Sequence, residues 1–320
     1  MNKNLIAITI GDIKGIGIEI LISLWKSKKI NNFILVSNKE FFINYLNKKK
    51  INIKIKIINK YSNIKKINKK DFIIYDYKSK NVIENSYLSL FYAYNLCINN
   101  HCKAILTLPI NKKNIAKKID KKFIGQTEYF QSLNKKKISN MIFYSNKLIT
   151  TPLTTHIPIN KINNFLSKKN YIYKKIKSLE KILKKDFKIK KPKMLLLGIN
   201  PHAGENGIFG NEENKYYLPL LKKIKKDKIL VDGPIPADSA FNAKNLKFYD
   251  CFITSYHDQA LIPFKIISGF KGLNYTGNLD VIRVSPNHGT AYDLVGTKNI
   301  NKESVLYCFN IIKKIIKNRK

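Results

Sequence analysis

Short apolar runs, each closed by a turn and most followed by a helical pattern, recur along this chain and constrain its fold more than any other feature. "LIAITIGD" reads as a buried strand ending at Gly11-Asp12, and "GIGIEILISLWKS" as a helix that starts there. "NNFILVSNKE" gives a second strand with a helix start at Ser37, "KAILTLP" and "MIFYS" are further strands, and "IENSYLSLFYAYNLCIN" is a long helix. After residue 190 come "PKMLLLGIN", "KILVDG", "CFITSYHDQ" and "DVIRVSP", interleaved with helical or loop segments. Strands of roughly four to eight apolar residues alternating with helices indicate an α/β fold with a mostly parallel sheet. Ligands of such sheets bind beyond the carboxyl ends of the strands, which is where the unusual segments of this chain fall. Residues 45–70 read as a surface strand–loop region without chemistry, and 161–185 as one long basic amphipathic helix.

At 320 residues the chain is long enough for one or two domains with a sizeable core. Lysine dominates its charge: only Arg283 and Arg319 are arginines among 60 basic residues, against 21 acids. The abundant Lys, Asn, Ile, Tyr and Phe all have A/T-rich codons, so the charge reads as compositional drift on a solvated surface. A nucleic-acid reader would favour arginine for bidentate contacts to bases and phosphates, so no nucleic-acid partner is expected. A generally basic surface would still attract anionic substrates. The four cysteines, Cys97, Cys102, Cys251 and Cys308, make no metal or disulfide motif and fit a reducing cytoplasm. No apolar run approaches the roughly 18 residues of a membrane span, and the basic C-terminal "IIKKIIKNRK" is expected to pack on the body.

Lysine is absent from 194–214, 248–264 and 272–297. Buried strands exclude lysine in any case, but burial does not explain why His156, His202, His257 and His288 all sit in turn-like segments after strands. His156, His202 and His257 are suited to a divalent ion, because neutral imidazole binds zinc, cobalt and related metals. Their spacing matches no local metal signature, so structural roles remain open at this level. Arg283, alone in a lysine-free stretch, suggests a bidentate contact to an anion, which Lys265 could join. The turn "GDIKGIGIE" lies between strand and helix, where backbone amides could face a phosphate. It is neither the dinucleotide fingerprint nor a P-loop.

Together these segments resemble the 4-hydroxythreonine-4-phosphate dehydrogenase family, with more distant likeness to isopropylmalate and isocitrate dehydrogenases. The matching pieces run in order: "IAITIGDIKGIGIE", "LTLPINK", "GQTEY", "TTHIPI", "INPHAGENGIFGNEE", "GPIPADSAF", "YHDQALIPFK", "GLNYTG" and "IRVSPNHGTAYDLVG". The resemblance implies a two-domain isopropylmalate dehydrogenase-like α/β fold, with the active site in the cleft between domains. It places a cofactor-side domain at 1–118 plus 288–320 and a metal, substrate and dimerisation domain at 119–287. It implies a homodimer with a shared active site, NAD or NADP, a divalent metal (zinc, cobalt or magnesium) and a small phosphorylated substrate. His156, His202 and His257 would be metal ligands, His257 coming from the partner. Gln126, Thr127, Lys265, Asn274 and Arg283 would contact substrate. Gly11, Gly15, Gly17, Gly289, Thr290, Ala291 and Asp293 would lie against the nicotinamide cofactor. Asp258 is a candidate proton acceptor or an orienting neighbour of His257. The implied reaction oxidises 4-phosphooxy-L-threonine, with loss of the carboxylate from the resulting β-keto acid. A paralogous dehydrogenase of a sugar acid or dihydrodiol carboxylate, or a binding protein that has lost catalysis, would carry the same motifs.

The chain departs from the family in three places. Gln126 stands where the family has histidine, Asn287 where aspartate is usual, and "GDIKGIGIE" lacks the usual prolines. Restoring histidine at 126 is expected to leave turnover equal or higher.

Overall fold

The computed structural model describes residues 4–68 and 70–320. Along the chain run β1 (Ile6–Thr9), α1 (Ile16–Lys26), β2 (Phe33–Val36), α2 (Lys39–Lys48), β3 (Ile55–Ile58), β4 (Phe72–Tyr75) and α3 (Val82–Ile98). Then come β5 (Ala104–Thr107), α4 (Lys112–Lys118) and α5 (Gln126–Leu133). A second stretch holds β6 (Asn140–Tyr144), β7 (Ile149–Pro152), α6 (Ile162–Leu166), α7 (Lys169–Asp186), β8 (Met194–Leu197) and α8 (Leu218–Lys226). It continues through β9 (Val231–Ile235), α9 (Ala237–Ala240), α10 (Ala243–Phe248), β10 (Cys251–Thr254), α11 (His257–Ser268) and β11 (Leu273–Gly277). The chain closes with β12 (Ile282–Pro286) and α12 (Glu303–Asn318).

Two compact units result. One runs to Lys135 and resumes over Leu279–Asn318 and Lys320; the other is Lys136–Asn278 with Arg319. In the first unit the strand order is β3-β4-β2-β1-β5-β12, every pairing parallel. β1, β2, β4 and β5 are buried at every position, as expected of parallel strands covered on both faces. In the second unit the order is β11-β6-β7-β10-β8-β9, with β6 antiparallel to both neighbours and the rest parallel. The α/β class with a mostly parallel sheet is therefore as the sequence indicates.

The asparagine-rich composition helps to start the helices. Asn38, Asn81, Asn111 and Asn242 each accept backbone amides of the following turn. The start assigned to Ser37 thus moves to Asn38 as cap. α12 buries Val305, Cys308, Phe309, Ile312 and Ile315 against the body, as expected. Among the described residues no helix is long and apolar enough to cross a membrane. All four cysteines are unbridged and buried.

Two boundaries differ from expectation. Residues 161–185 form α6 and α7 rather than one helix, broken at Ser167-Lys168, where the Lys168 ψ of 59° leaves the helical region. Residues 119–135 and 279–287 belong to the first unit. Phe130 of α5 lies in its apolar core with Leu90, Ile105 and Val281, and β12 pairs with β5, Arg283 opposite Ile105.

Candidate active site

In the second unit, the segment after β8 folds into a left-handed turn. His202, Ala203, Gly204, Glu205 and Asn206 all have positive φ, between 38° and 82°. For residues with a Cβ this costs on the order of 1 kcal/mol each, so something must hold the turn. The clamp is Glu213, only 3% exposed. Its Oε1 accepts the amides of Ile199 (2.8 Å) and Asn200 (2.9 Å), and its Oε2 accepts Asn200 Nδ2 (2.9 Å). Hydrogen bonds to a carboxylate contribute about 1.5–3 kcal/mol each, the scale needed to offset the strain. Gly204 is required there: its φ is +82°, and a Cβ would sit 2.8 Å from Glu213 Oε2.

β7 and β10 are parallel neighbours, and the loops that leave them continue side by side. The Leu153 and Thr154 amides donate to the carbonyls of Thr254 and Ser255, and the Lys175 ammonium, buried in α7, donates to the Leu153 carbonyl at 2.8 Å. This brings His156 and His257 to a ring separation of 5.6 Å within one chain. Asp258 Oδ1 lies 2.7 Å from His257 Nδ1. The carboxylate holds the proton on Nδ1 and leaves Nε2 as the ligating nitrogen, so Asp258 is placed to orient its neighbour. Gln259 links the end of β10 to that of β8, accepting the Ser255 amide and donating to the Gly198 carbonyl.

Two imidazoles at this separation can share one ion, with nitrogens about 2.0–2.1 Å from it. His202 does not join them: its ring lies beside Phe209 at 5.7 Å. Among the described residues no three His, Cys, Asp or Glu side chains converge as a metal group. The donor chemistry therefore fits a divalent ion, but one chain assembles only the His156–His257 pair. The resemblance assigned His257 to the partner; here it already stands beside His156 of its own chain.

Asn274 pairs with Phe143 across β11–β6, and Phe143 packs edge-on to His257 at 6.0 Å. Asn274 Oδ1 is buried without a hydrogen-bond partner. Lys265, two turns along α11 from His257, is exposed.

In the first unit, the turn after β1 packs on the loop after β12. A Cβ at Gly15 would sit 2.7 Å from the Thr290 carbonyl oxygen, which accepts the Ile16 amide at 3.0 Å. Gly11 and Gly17 lie against Leu108 and Pro109. The Tyr292 hydroxyl donates to Asp12 at 2.6 Å and accepts from Asn111. Several amides of this turn are engaged within the protein. The amides of Asp12, Lys14, Gly15 and Ile16 are already bonded to Pro109, to the Asp12 side chain and carbonyl, and to Thr290. The glycines are there for close packing against 108–109 and 290. Gly289, Thr290, Ala291 and Asp293 form the neighbouring wall, with Ala291 left-handed at φ 44° and Asp293 exposed.

Arg283 lies deeper than a surface anion contact would require, at 1% exposure. Nε and Nη2 donate to Thr107 Oγ1 (3.1 and 2.7 Å), Nη1 to Thr127 Oγ1 (3.3 Å), and Nη2 also to Gln126 Oε1. The Phe130 ring lies 5.8 Å from the guanidinium carbon. Burial lowers its pKa to about 10, which leaves it charged at neutral pH.

Glu213, Asn200, Gln259, Thr107 and Lys175 were not identified from the sequence. Glu213 carried a signal, as an acid in a lysine-free stretch, but nothing separated it from Glu212. Lys175 had none, being one of 58 lysines.

The family model described as pyridoxal phosphate biosynthetic protein PdxA matches residues 29–312. The chain is 36% identical to the 4-hydroxythreonine-4-phosphate dehydrogenase of Aquifex aeolicus, covering 99% of both chains. The crystal structure of the Klebsiella pneumoniae protein of that name superposes with a TM-score of 0.81 at 26% identity, covering 98% of this chain and 99% of that one. A terephthalate 1,2-cis-dihydrodiol dehydrogenase from Burkholderia xenovorans shares the fold, with a TM-score of 0.61 and 20% identity over 97% and 98% of the chains.

Proposed function

This chain belongs to the pyridoxal phosphate biosynthetic protein PdxA family, and from that premise we propose that it is a 4-hydroxythreonine-4-phosphate dehydrogenase. The reaction is NAD(P)-dependent oxidation of 4-phosphooxy-L-threonine to 2-amino-3-oxo-4-phosphooxybutanoate. That β-keto acid loses its carboxylate to give 3-amino-2-oxopropyl phosphate, within pyridoxal phosphate synthesis. The observation that carries the reading is the His156–His257 pair, 5.6 Å apart beside the strand that holds the unpartnered Asn274 Oδ1.

His156 and His257, with His202, would hold a divalent ion of the zinc, cobalt or magnesium class, completed by a second copy of the chain. Such an ion would supply Lewis acidity toward the hydroxyl and ketone oxygens. Gly11, Gly15, Gly17, Gly289, Thr290, Ala291 and Asp293 would hold NAD or NADP, which would supply the hydride acceptor. Asp258 fixes the tautomer of His257. The Asn274 Oδ1 accepts an N–H or O–H of the substrate, which would remove the cost of leaving that atom unsatisfied. Lys265 contributes a cation to the anionic end of the substrate. In the first unit, Thr127 and Arg283 offer a hydroxyl and a fixed positive charge for phosphate or carboxylate.

A second copy is supported by the surface of α11. Ile262 and Ile266 of α11 are 60% and 79% exposed, and Phe270, two residues past the end of the helix, is 58% exposed, an apolar patch that begins more than one turn after His257. The buried, unbridged cysteines support a reducing cytoplasm.

The test is formation of reduced nicotinamide from 4-phosphooxy-L-threonine with NAD or NADP. The protein is stripped by chelator and then supplied with zinc, cobalt or magnesium. Activity lost on stripping and restored by one of these metals is expected; no reduced nicotinamide under any condition would rule the reading out.

A further inference from the structure

Ser255 directly follows β10, two residues before His257, and is fully buried with each of its polar groups engaged. Its amide donates to Gln259 Oε1 at 2.7 Å. Its carbonyl accepts both the Thr154 amide (3.2 Å) and the Thr154 hydroxyl (2.8 Å), and Thr154 stands two residues before His156. Its hydroxyl lies 2.6 Å from that of Tyr217, a side chain only 1% exposed. Ser255 therefore joins the two strand ends that deliver His156 and His257, and Tyr217 is what its hydroxyl meets.

Tyr217 comes from an unusual piece of backbone. Residues Glu213–Tyr217 form a π-helical turn that runs directly into α8. Such turns are rare and frequently mark functional sites. Here the two ends of the turn brace two loops. Glu213 holds the amides of Ile199 and Asn200, which lead to His202. Tyr217 reaches Ser255, which leads to His257 and, through Thr154, to His156. Burial raises the Tyr217 pKa above the ordinary phenol range, so the hydroxyl keeps its proton and makes one neutral hydrogen bond with Ser255. His156 needs a fixed approach, because its φ of 48° is unfavourable for a residue with a Cβ. Such a conformation persists only while the surrounding chain holds it.

We propose that Tyr217 is a positioning residue: its hydrogen bond to Ser255 fixes the chain ahead of His156 and His257, and so sets the separation at which the two imidazoles meet a divalent ion. This rests on the reading of the pair as metal ligands. Tyr217 acts through Ser255 and not on the ion itself. Gln259, bonded to both the Ser255 amide and the Gly198 carbonyl, ties β10 to β8 independently. Removing the phenol hydroxyl should therefore loosen the pair without unfolding the strand ends.

Tyr217→Phe and Ser255→Ala remove the two halves of one hydrogen bond, and two readouts follow them. The first needs no metal. With ring-labelled histidine, the metal-free protein gives an NMR signal for each of its five histidines. Tyr217→Phe should move the signals of His156 and His257 and leave that of His101, in the other unit, where it is. The second is titration with cobalt(II) alone, followed by its visible absorption. Either variant should bind cobalt about tenfold more weakly, the scale at which groups that orient metal-binding histidines act. The double variant should bind no more weakly than the worse single one, because both changes remove the same contact. Unmoved His156 and His257 signals, or fully additive losses in the double variant, would overturn the proposal. A lowered melting temperature with unchanged cobalt affinity would overturn it too, by showing that Tyr217 only packs. If the signals move as expected but the wild type binds no cobalt, the positioning role stands and the metal reading fails.

Discussion

The turn clamped by Glu213 and the node around Arg283 solve opposite versions of one problem. Each buries a charged side chain in a lysine-free stretch. Glu213 spends its charge on backbone: two amides and one side-chain amide occupy its oxygens, and the result is a shape, the left-handed run from His202 to Asn206. Arg283 donates to the hydroxyls of Thr107 and Thr127 and to the Gln126 amide oxygen, with the Glu128 carboxylate acting on it, and the result is a fixed guanidinium. Glu213 spends its hydrogen-bonding capacity on the backbone of one turn, whereas Arg283 spends its own on side chains from two other elements.

That contrast can be tested by substitution, and the largest effect is expected at Glu213. Glu213→Ala should cost about 3 kcal/mol or more in denaturant unfolding, because three donors lose their acceptor in a strained turn. Glu213→Gln should recover part of the loss. A cost below ~1 kcal/mol would mean that the turn is held by something else. At Arg283 the ranking of effects should reverse, with function losing more than stability. Arg283→Lys keeps the charge but cannot reach Thr107, Thr127 and Gln126 together, so kcat/KM should fall about a hundredfold. The same variant should unfold with a smaller loss than Glu213→Ala; equal losses would erase the distinction.

Asn274 gives a cleaner case, since its Oδ1 has no partner to lose. Asn274→Ala should leave the melting temperature within a degree or two and lower kcat/KM about tenfold. A large fall in stability with unchanged activity would contradict its proposed ligand role. The smallest effect is expected at His288, beside the Arg283 strand. Its Nδ1 donates to the Gly289 carbonyl while Nε2 is buried without a partner, and burial lowers its pKa. A base whose folded pKa is depressed gives full stability above its unfolded value of about 6.5, and that stability is lost as pH falls through the value. His288→Asn should flatten the acid side of a plot of melting temperature against pH, and an unaltered slope would show that other groups set it.

What could be read from the sequence followed from periodicity and from exclusion. The apolar runs located most of the strands, and the lysine gaps located the strand ends, because buried or clamped backbone tolerates no extra cation. The missed features depend on which atoms meet. Nothing in "NEEN" shows that Glu213 faces inward and Glu212 does not. The glycines of the 11–17 turn sit in close contacts that the sequence did not show, Gly15 against Thr290 and Gly11 and Gly17 against Leu108 and Pro109. Gln126 read as a loss relative to the family histidine. Only its two hydrogen bonds, to the Leu108 carbonyl and from Arg283, show that it is engaged within the protein. The pairing of β12 with β5, some 175 residues earlier in the chain, was likewise not legible in the sequence.

The account stands or falls on whether the enzyme acts on a phosphorylated substrate. The most direct measurement is kcat/KM for 4-phosphooxy-L-threonine against 4-hydroxy-L-threonine, on the metal-loaded protein with its preferred nicotinamide cofactor. A site with a held guanidinium should favour the phosphorylated compound by about a hundredfold or more. Equal rates on the two compounds, or faster turnover of the unphosphorylated one, would contradict it.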